Sequence, residues 1–157
     1  MRKLETGIIL KEIFDICELH LKRMQFAKAK VKQFIPITND NYFIIDEESI
    51  GFLDQYIFRF SKLQDTIGAR LFPLLLDFLA EPMADKPFID VLNRLERLKV
   101  IESTLGWIQL RKIRNDISHE YPTSLAERIE GINILFDHLE YMQQILKSAR
   151  KCLNDLK

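Results

Sequence analysis

The residues of this chain that are best suited to chemistry lie in one stretch, 111–122, which reads RKIRNDISHEYP. It brings Arg114, Asn115, His119 and Tyr121 together just before a proline. A histidine that titrates near neutrality can take a proton from a ribose 2′-hydroxyl or give one to a leaving oxygen. An arginine offers a rigid fork of donors to phosphate oxygens as charge develops on them. The stretch is therefore a candidate for phosphodiester cleavage.

The spacing of these residues leaves two interpretations open. Arg114 and His119 lie five residues apart, so on an ideal helix they differ by about 140° in azimuth, and a long arginine side chain can still reach an imidazole one turn on. Asn115 comes four residues before His119, on nearly the same helix face. Arg and His are also common near helix C-termini, where they complement the helix dipole. Spacing alone favours this second interpretation, a solvated helix end.

The pattern around the stretch predicts an all-α protein. Apolar residues with a period near 3.6 predict a first helix over residues 4–34 and a second that begins near Glu47 or Ser49. Between them, Pro36 and a polar run predict a loop to about Asp46. Pro73 then either kinks the second helix or starts a new one, because its ring removes a backbone donor and clashes with the preceding turn.

The second half of the chain continues this pattern. A short third helix is predicted over residues 88–98, and a fourth over 103–121, which Pro122 ends. The fourth helix is predicted to turn four apolar residues inward: Leu105, Ile108, Ile113 and Ile117. Ser124 and Glu127 form a capping-box pattern at the start of a last helix with an unbroken apolar face. Because short links favour antiparallel neighbours, the prediction is one domain, 1–157, folded as an up-and-down bundle of four to five helices.

Composition excludes disordered and collagen-like proteins. Apolar residues make up 47% and charged residues 29% of the chain, which is ordinary for a globular domain. The 23 basic and 23 acidic residues balance, so any RNA contact must come from a local patch such as Arg111 and Lys112. Cys17 and Cys152 are interpreted as small buried hydrophobes rather than metal ligands. The sequence carries no phosphate-loop or metal-binding motif, so no cofactor is expected.

Nothing in the sequence indicates export or membrane insertion. The N-terminus has acidic residues by position five and lacks a long apolar segment followed by a cleavage site. The most apolar run, residues 71–80, is about half the length that spans a bilayer. A soluble, cytoplasmic protein without membrane contact is therefore expected.

The string 114–121, RNDISHEY, resembles the R-x4-H-x-Y signature of HepT-like toxins, a branch of the HEPN superfamily of small all-helical proteins. All three signature letters match, at Arg114, His119 and Tyr121. Asn115 is one of the polar residues that the superfamily favours after the arginine. The all-α plan, the chain length and the position of the motif before the last long helix agree with the resemblance.

The resemblance implies the toxin of a type II/VII-like toxin–antitoxin system, a metal-independent endoribonuclease that cuts RNA in a cleft between the two copies of a homodimer. Arg114 and His119 would be the catalytic pair and Asn115 an auxiliary polar residue. Tyr121 would be the tyrosine that a partner antitoxin, a minimal nucleotidyltransferase (MNT), modifies with AMP. AMPylation would place bulk and negative charge where the RNA phosphate must bind, and so silence the toxin.

Two alternative functions remain open, and several further residues have predicted secondary or structural roles. The chain could instead be a non-catalytic partner that binds substrate or nucleotide for the nucleotidyltransferase, or a degenerate scaffold. Arg59 and Asp54 on the second predicted helix are subordinate candidates for supporting the site. Four further residues are expected to be structural: Trp107 and Phe60 in the core, and His20 and His138 as ordinary helix residues.

Overall fold

The chain is all-α in the part that the computed structural model describes, residues 2–81, 83, 85–118 and 124–155, where no strand occurs. The helices are α1 (Arg2–Lys30), α2 (Asn39–Tyr42), α3 (Glu47–Thr66), α4 (Phe72–Phe78), α5 (Phe88–Arg97), α6 (Thr104–Ser118), α7 (Leu125–Asp137) and α8 (Leu139–Asn154). A 3-10 turn at Lys32–Phe34 follows α1, and a π-helical segment at Ile67–Leu71 joins α3 to α4. None of the described helices is long and apolar enough to cross a membrane.

One hydrophobic core holds these helices together. The long helix α1 packs along α3 and also contacts α4 and α8, while α6 contacts α3, α5 and α7. The largest fully buried side chains are aromatic: Trp107, Tyr56, Phe14, Phe60, Phe72 and Phe136. The predicted core positions of Trp107 and Phe60 are thereby confirmed.

The helix from Glu47 continues through Pro73, which resolves a question that the sequence left open. Leu71 and Phe72, directly before the proline, both have right-handed helical backbone angles. The π-helical segment Ile67–Leu71 lies in the turn before Pro73. A proline lacks the N–H that would bond to the preceding turn, and its ring needs extra room there. A local widening of the helix is a common way to provide that room.

Two predicted boundaries are wrong. The predicted loop at 36–46 contains the short helix α2, which Thr38 and Asn41 start with a capping box. The predicted continuous last helix is divided at His138, whose backbone angles (φ −102°, ψ 14°) leave the helical region. There the His138 N–H bonds to the Leu135 carbonyl, three residues back, and its Nδ1 lies 2.7 Å from the Ile134 carbonyl oxygen. The described chain therefore has more helical segments than the four or five predicted.

Two predicted helix starts and one predicted face can also be judged. The predicted start of the second helix near Glu47 is confirmed, and Asp46 caps it by accepting from the Ser49 N–H. Ser124 caps α7 through the Glu127 N–H, as predicted. The inward face of α6 is partly wrong, because Leu105 is 63% exposed and Ile108 is 40% exposed. Ile117 of the predicted face is buried, and it shares the inward side of α6 with four other residues at helical spacing: Thr104, Trp107, Leu110 and Arg114.

Candidate functional site

Arg114 lies on the buried face of α6. Its position in the inward series of that helix leaves the residue only 7% exposed. A guanidinium cannot lose its charge by deprotonation at ordinary pH, so burial of this group requires partners. Arg114 is therefore not the solvated dipole complement that spacing alone favoured.

The partners of Arg114 come from the C-terminal part of α3. Its Nε–H donates to Gln64 Oε1 at 3.2 Å, and its Nη2 donates to Asp65 Oδ1 at 2.5 Å. Gln64 is buried, while the Asp65 side chain is 53% exposed. The ion pair thus lies at the boundary between core and solvent. A guanidinium has five N–H donors, so these two bonds leave donors with which Arg114 can bind a further acceptor.

A cavity of about 380 Å³ opens beside this ion pair. Its polar walls are Gln64, Asp65, Arg111 and Arg114, and its aromatic walls are Phe88 and Trp107. The exposed Arg111 places its guanidinium carbon 5.9 Å from the centroid of the Phe88 ring, a distance typical of cation–π contacts. The volume lies in the range of small-molecule sites. Cation, carboxylate and aromatic surface are therefore combined in one pocket.

Two residues that line the cavity each carry a side-chain donor without a hydrogen-bond partner among the described residues. These donors are Gln64 Nε2 and Trp107 Nε1, and both atoms are buried, so neither presents accessible surface to the cavity. Buried donors without acceptors are uncommon in folded proteins, and each one calls for an explanation.

The other predicted site residues are not all in this pocket. Asn115 is half-buried on α6 but does not line the cavity. Lys112 is exposed, and its Nζ donates to Asp116 Oδ2 at 3.2 Å. His119 and Tyr121, which carry the proposed proton transfer and modification, lie outside the described residues.

The end of α6 is tied to its neighbours just before His119. Ser118 Oγ lies 3.2 Å from Ser61 Oγ on α3. Arg128 on α7 donates from Nη1 to the Ile117 carbonyl oxygen at 3.2 Å, which satisfies one of the free carbonyls at the helix end. The backbone that leads into His119 is thus held by both adjacent helices.

The secondary candidates on α3 do not meet Arg114. Arg59 donates from Nη1 to His20 Nδ1 at 3.2 Å, on the face of α3 that packs against α1. Burial, and then the charges of Arg59 and Lys62, lower the pKa of His20. Asp54 is exposed. These contacts assign Arg59 and His20 to the α1–α3 interface.

Sequence reasoning missed Gln64 and Asp65. They lie 50 and 49 residues before Arg114, and neither belongs to a recognisable motif. The only available signal was a polar pair, Gln64-Asp65, at the end of a helix whose apolar face continues past it.

None of the family models, curated proteins and solved structures compared with the chain matches it. The fold and site together define an all-α domain with a buried arginine at the wall of a mixed polar and aromatic cavity.

Proposed function

We propose that this chain is a HEPN-like endoribonuclease, the toxin of a type II/VII-like toxin–antitoxin system. The observation that carries the proposal is the anchoring of Arg114. Its guanidinium is fixed by Gln64 and Asp65 at the wall of a cavity, and His119 follows five residues later in the same motif. A fixed guanidinium loses little conformational freedom when it binds a phosphate oxygen, which is the property that transition-state stabilisation requires.

The proposed reaction uses side chains only. His119 takes the proton of a ribose 2′-hydroxyl, whose oxygen attacks the adjacent phosphorus. The bond from phosphorus to the 5′-oxygen breaks, and that oxygen leaves with a proton from an acid. The products are a 2′,3′-cyclic phosphate and a free 5′-hydroxyl. Arg114 stabilises the charge on the non-bridging oxygens, and Asn115 orients the substrate from the adjacent position on α6.

A homodimer supplies the acid that one copy lacks, because one histidine cannot be base and acid in the same step. The exposed apolar residues on α6 support this part of the proposal. Leu105 and Ile108 are 63% and 40% exposed, and Lys112 continues the same helix face at a four-residue step. Packing of this face against its symmetry mate would bring two copies of the motif together.

Regulation is proposed to act at Tyr121 through an MNT antitoxin. Transfer of AMP to the Tyr121 hydroxyl would add bulk and negative charge to the motif, where the RNA phosphate would otherwise bind. The exposed Arg111 and Lys112 would then favour the modified tyrosine over the RNA backbone.

The test is inducible expression in bacteria of wild type, His119→Ala and Arg114→Lys, with purified dimers assayed on RNA. We expect growth arrest and RNA with 2′,3′-cyclic phosphate ends for wild type only. Arg114→Lys keeps the charge but loses the fork that holds both Gln64 and Asp65. His138→Ala is the matched histidine control and should retain cleavage. Intact RNA with folded wild-type dimer would refute the nuclease proposal.

A second test addresses Tyr121. Incubation with the MNT partner and ATP should add the mass of one AMP to wild type and to Tyr42→Phe, but not to Tyr121→Phe. An adduct that maps to another residue would refute this part of the proposal.

One observation favours a second candidate function, a non-catalytic partner that binds nucleotide for the nucleotidyltransferase. Asp65 neutralises Arg114 at 2.5 Å, and a neutralised arginine is a weaker stabiliser of developing negative charge. This candidate predicts nucleotide binding by wild type and by His119→Ala alike, and no RNA cleavage by either.

A further inference from the structure

Two exposed phenylalanines on α1 and α3 have cations against their rings. Phe58 of α3 is 53% exposed, with the Arg59 guanidinium carbon 5.7 Å and the Lys62 Nζ 5.5 Å from its ring centroid. Phe26 of α1 is 50% exposed, with the Lys30 Nζ 5.4 Å from its ring centroid. Exposed aromatic rings beside cations form the kind of surface that single-stranded nucleic acids bind, because bases stack on the rings and phosphates pair with the cations.

The two clusters lie along one edge, where α1 and α3 pack side by side. Phe26 packs edge-on against Phe52 of α3, with ring centroids 5.9 Å apart, and Arg59 Nη1 lies 3.2 Å from His20 Nδ1 of α1. The two helices therefore run antiparallel. Arg23 is exposed, and on α1 it lies three residues from each of these contacts, so it is a surface neighbour of both. We call this edge the basic–aromatic strip, which consists of two exposed phenylalanines and four cations: Phe26, Phe58, Arg23, Lys30, Arg59 and Lys62.

The cations of the strip have positive charge available for a ligand. Within the described part of the chain, Arg23, Lys30 and Lys62 make no ion pair with an acidic side chain. Arg59 contacts the ring of His20, whose pKa is lowered by burial and by the charges of Arg59 and Lys62, so this partner is a neutral imidazole at neutral pH. The chain as a whole has as many acidic as basic residues. The strip is therefore a local positive field, and it complements a polyanion.

The strip leads towards the end of α6. Ser61, three residues after Phe58 on α3, has its Oγ 3.2 Å from Ser118 Oγ, and Ser118 directly precedes His119 in the sequence. The positions of Phe52 and Phe58 on α3 differ by about 9 Å along the helix axis. Successive phosphates of a stacked strand lie about 3.4 Å apart. The strip is therefore long enough for about three nucleotides.

We propose that the basic–aromatic strip binds single-stranded nucleic acid, with bases stacked on Phe26 and Phe58 and phosphates held by the cations beside them. Stacking and phosphate contacts accept any base, so the strip selects the single-stranded form rather than a sequence. Lysine and arginine side chains are long, so a cation can turn to a phosphate while a base covers the ring that the cation now contacts. Binding here goes beyond the proposed nuclease, because the strip lies outside the motif and holds a strand without cleaving it.

The test measures binding of labelled oligouridine and oligothymidine to the His119→Ala protein by fluorescence anisotropy, so that cleavage does not interfere. We expect both single strands to bind more tightly than a duplex of the same length. Phe58→Ala and Phe26→Ala should each weaken binding about tenfold, the effect of losing one stacked base. The control is Phe43→Ala, which removes a ring that is 74% exposed but has no described cation contact. It should leave binding unchanged. Circular dichroism checks that each variant is folded, and Phe58→Ala decides if Phe26→Ala does not fold.

The salt dependence of binding tests the cations. Lys62→Gln and Arg23→Gln should each reduce the slope of log K against log salt concentration by about 0.7, the value for one phosphate contact of a single strand. Lys151→Gln, an exposed substitution of the same kind on α8, should leave the slope unchanged. Asp54 is exposed one turn before Phe58 and opposes the positive field of the strip, so Asp54→Asn should tighten binding.

Three results would overturn the strip. They are equal binding of single strands and duplex, binding of polyglutamate as tight as that of oligouridine, and wild-type affinity in both Phe58→Ala and Lys62→Gln. Cleavage by wild type separates the strip from the proposed nuclease. Single-strand binding without RNA cleavage supports the strip and speaks against the nuclease. RNA cleavage that is unchanged in Phe58→Ala and Lys62→Gln, without single-strand binding by the strip, does the reverse.

Discussion

The contact between Arg114 and Asp65 gives a quantitative prediction about the site. Replacement of Asp65 by Ala leaves a guanidinium that is only 7% exposed with Gln64 as its one remaining described partner. A hydrogen bond to a charged group contributes about 1.5–3 kcal/mol. Because the Asp65 side chain is 53% exposed, solvent screens the pair and the lower end of that range applies. We expect the free energy of unfolding to fall by roughly 1.5 kcal/mol.

Replacement of Arg114 by Met should cost a similar amount for a different reason. Asp65 can then be hydrated, but Gln64 Oε1 loses its donor in the core. An unsatisfied buried acceptor costs about 1–3 kcal/mol. The double variant has no Arg114, so the unpaired guanidinium that Asp65→Ala alone would leave does not exist. The losses of unfolding free energy from the two single substitutions should therefore not add. We expect a coupling energy of about 1 kcal/mol from the double-mutant cycle.

The matched control is the exposed pair of Lys112 and Asp116 on the same helix. Their side chains are joined at 3.2 Å, and Lys112 is 78% exposed. Surface pairs at this i,i+4 spacing contribute about 0.3–0.5 kcal/mol. Urea unfolding of wild type, the single and the double variants measures both couplings. If the coupling of Arg114 with Asp65 is no larger than that of Lys112 with Asp116, the buried anchoring of Arg114 is refuted.

Three further predictions concern the rest of the fold. Tyr56→Phe removes the hydrogen bond that the buried hydroxyl donates to the Leu135 carbonyl at 2.7 Å, so urea unfolding should show a loss of about 1–2 kcal/mol; unchanged stability would contradict this contact. The pKa of His20 is lowered from 6.5 in the folded protein, so below that pH the unfolded chain binds the proton first. The stability from neutral His20 is present above pH 6.5 and is lost as the pH falls below 6.5 and through the lower pKa of the folded protein, and His20→Gln should flatten this part of the pH profile of urea unfolding. Burial raises the pKa of Cys17 to about 12, and the less buried Cys152 also has a raised pKa. At about pH 8 a thiol reagent should therefore react with Cys152 of the native protein first, and equal labelling rates would contradict the burial of Cys17.

Signals between residues close in the sequence predicted which residues are helical better than they predicted where one helix ends and the next begins. The capping pattern of Ser124 and Glu127 predicted the start of α7, because a cap is a contact between residues three apart in the chain. The break at His138 had no such signal. At the break the His138 Nδ1 lies 2.7 Å from the Ile134 carbonyl oxygen, a contact that the sequence does not announce, while the apolar period runs through it. Periodicity therefore showed which residues are helical without showing where one helix ends.

The candidate site shows the same limit more strongly. The motif at 114–121 lies within two turns of one helix, so its residues could be found from the sequence. Gln64 and Asp65 reach Arg114 only because α3 packs against α6. Leu105 and Ile108 show the reverse case, since apolar residues predicted to be inward remain exposed. Which face of a helix is buried depends on its neighbours, and these cannot be read from the helix itself.

Arg114 has a structural role in its ion pair with Asp65 and a proposed role in catalysis, and a loss of activity in a variant would not tell the two apart. An ion pair alone explains why the residue is buried, and removal of the arginine would lower activity through lost stability as well as through lost catalysis. The double-mutant cycle with Asp65 is therefore needed beside any activity assay, because it measures the stability that Arg114 contributes separately from its contribution to catalysis.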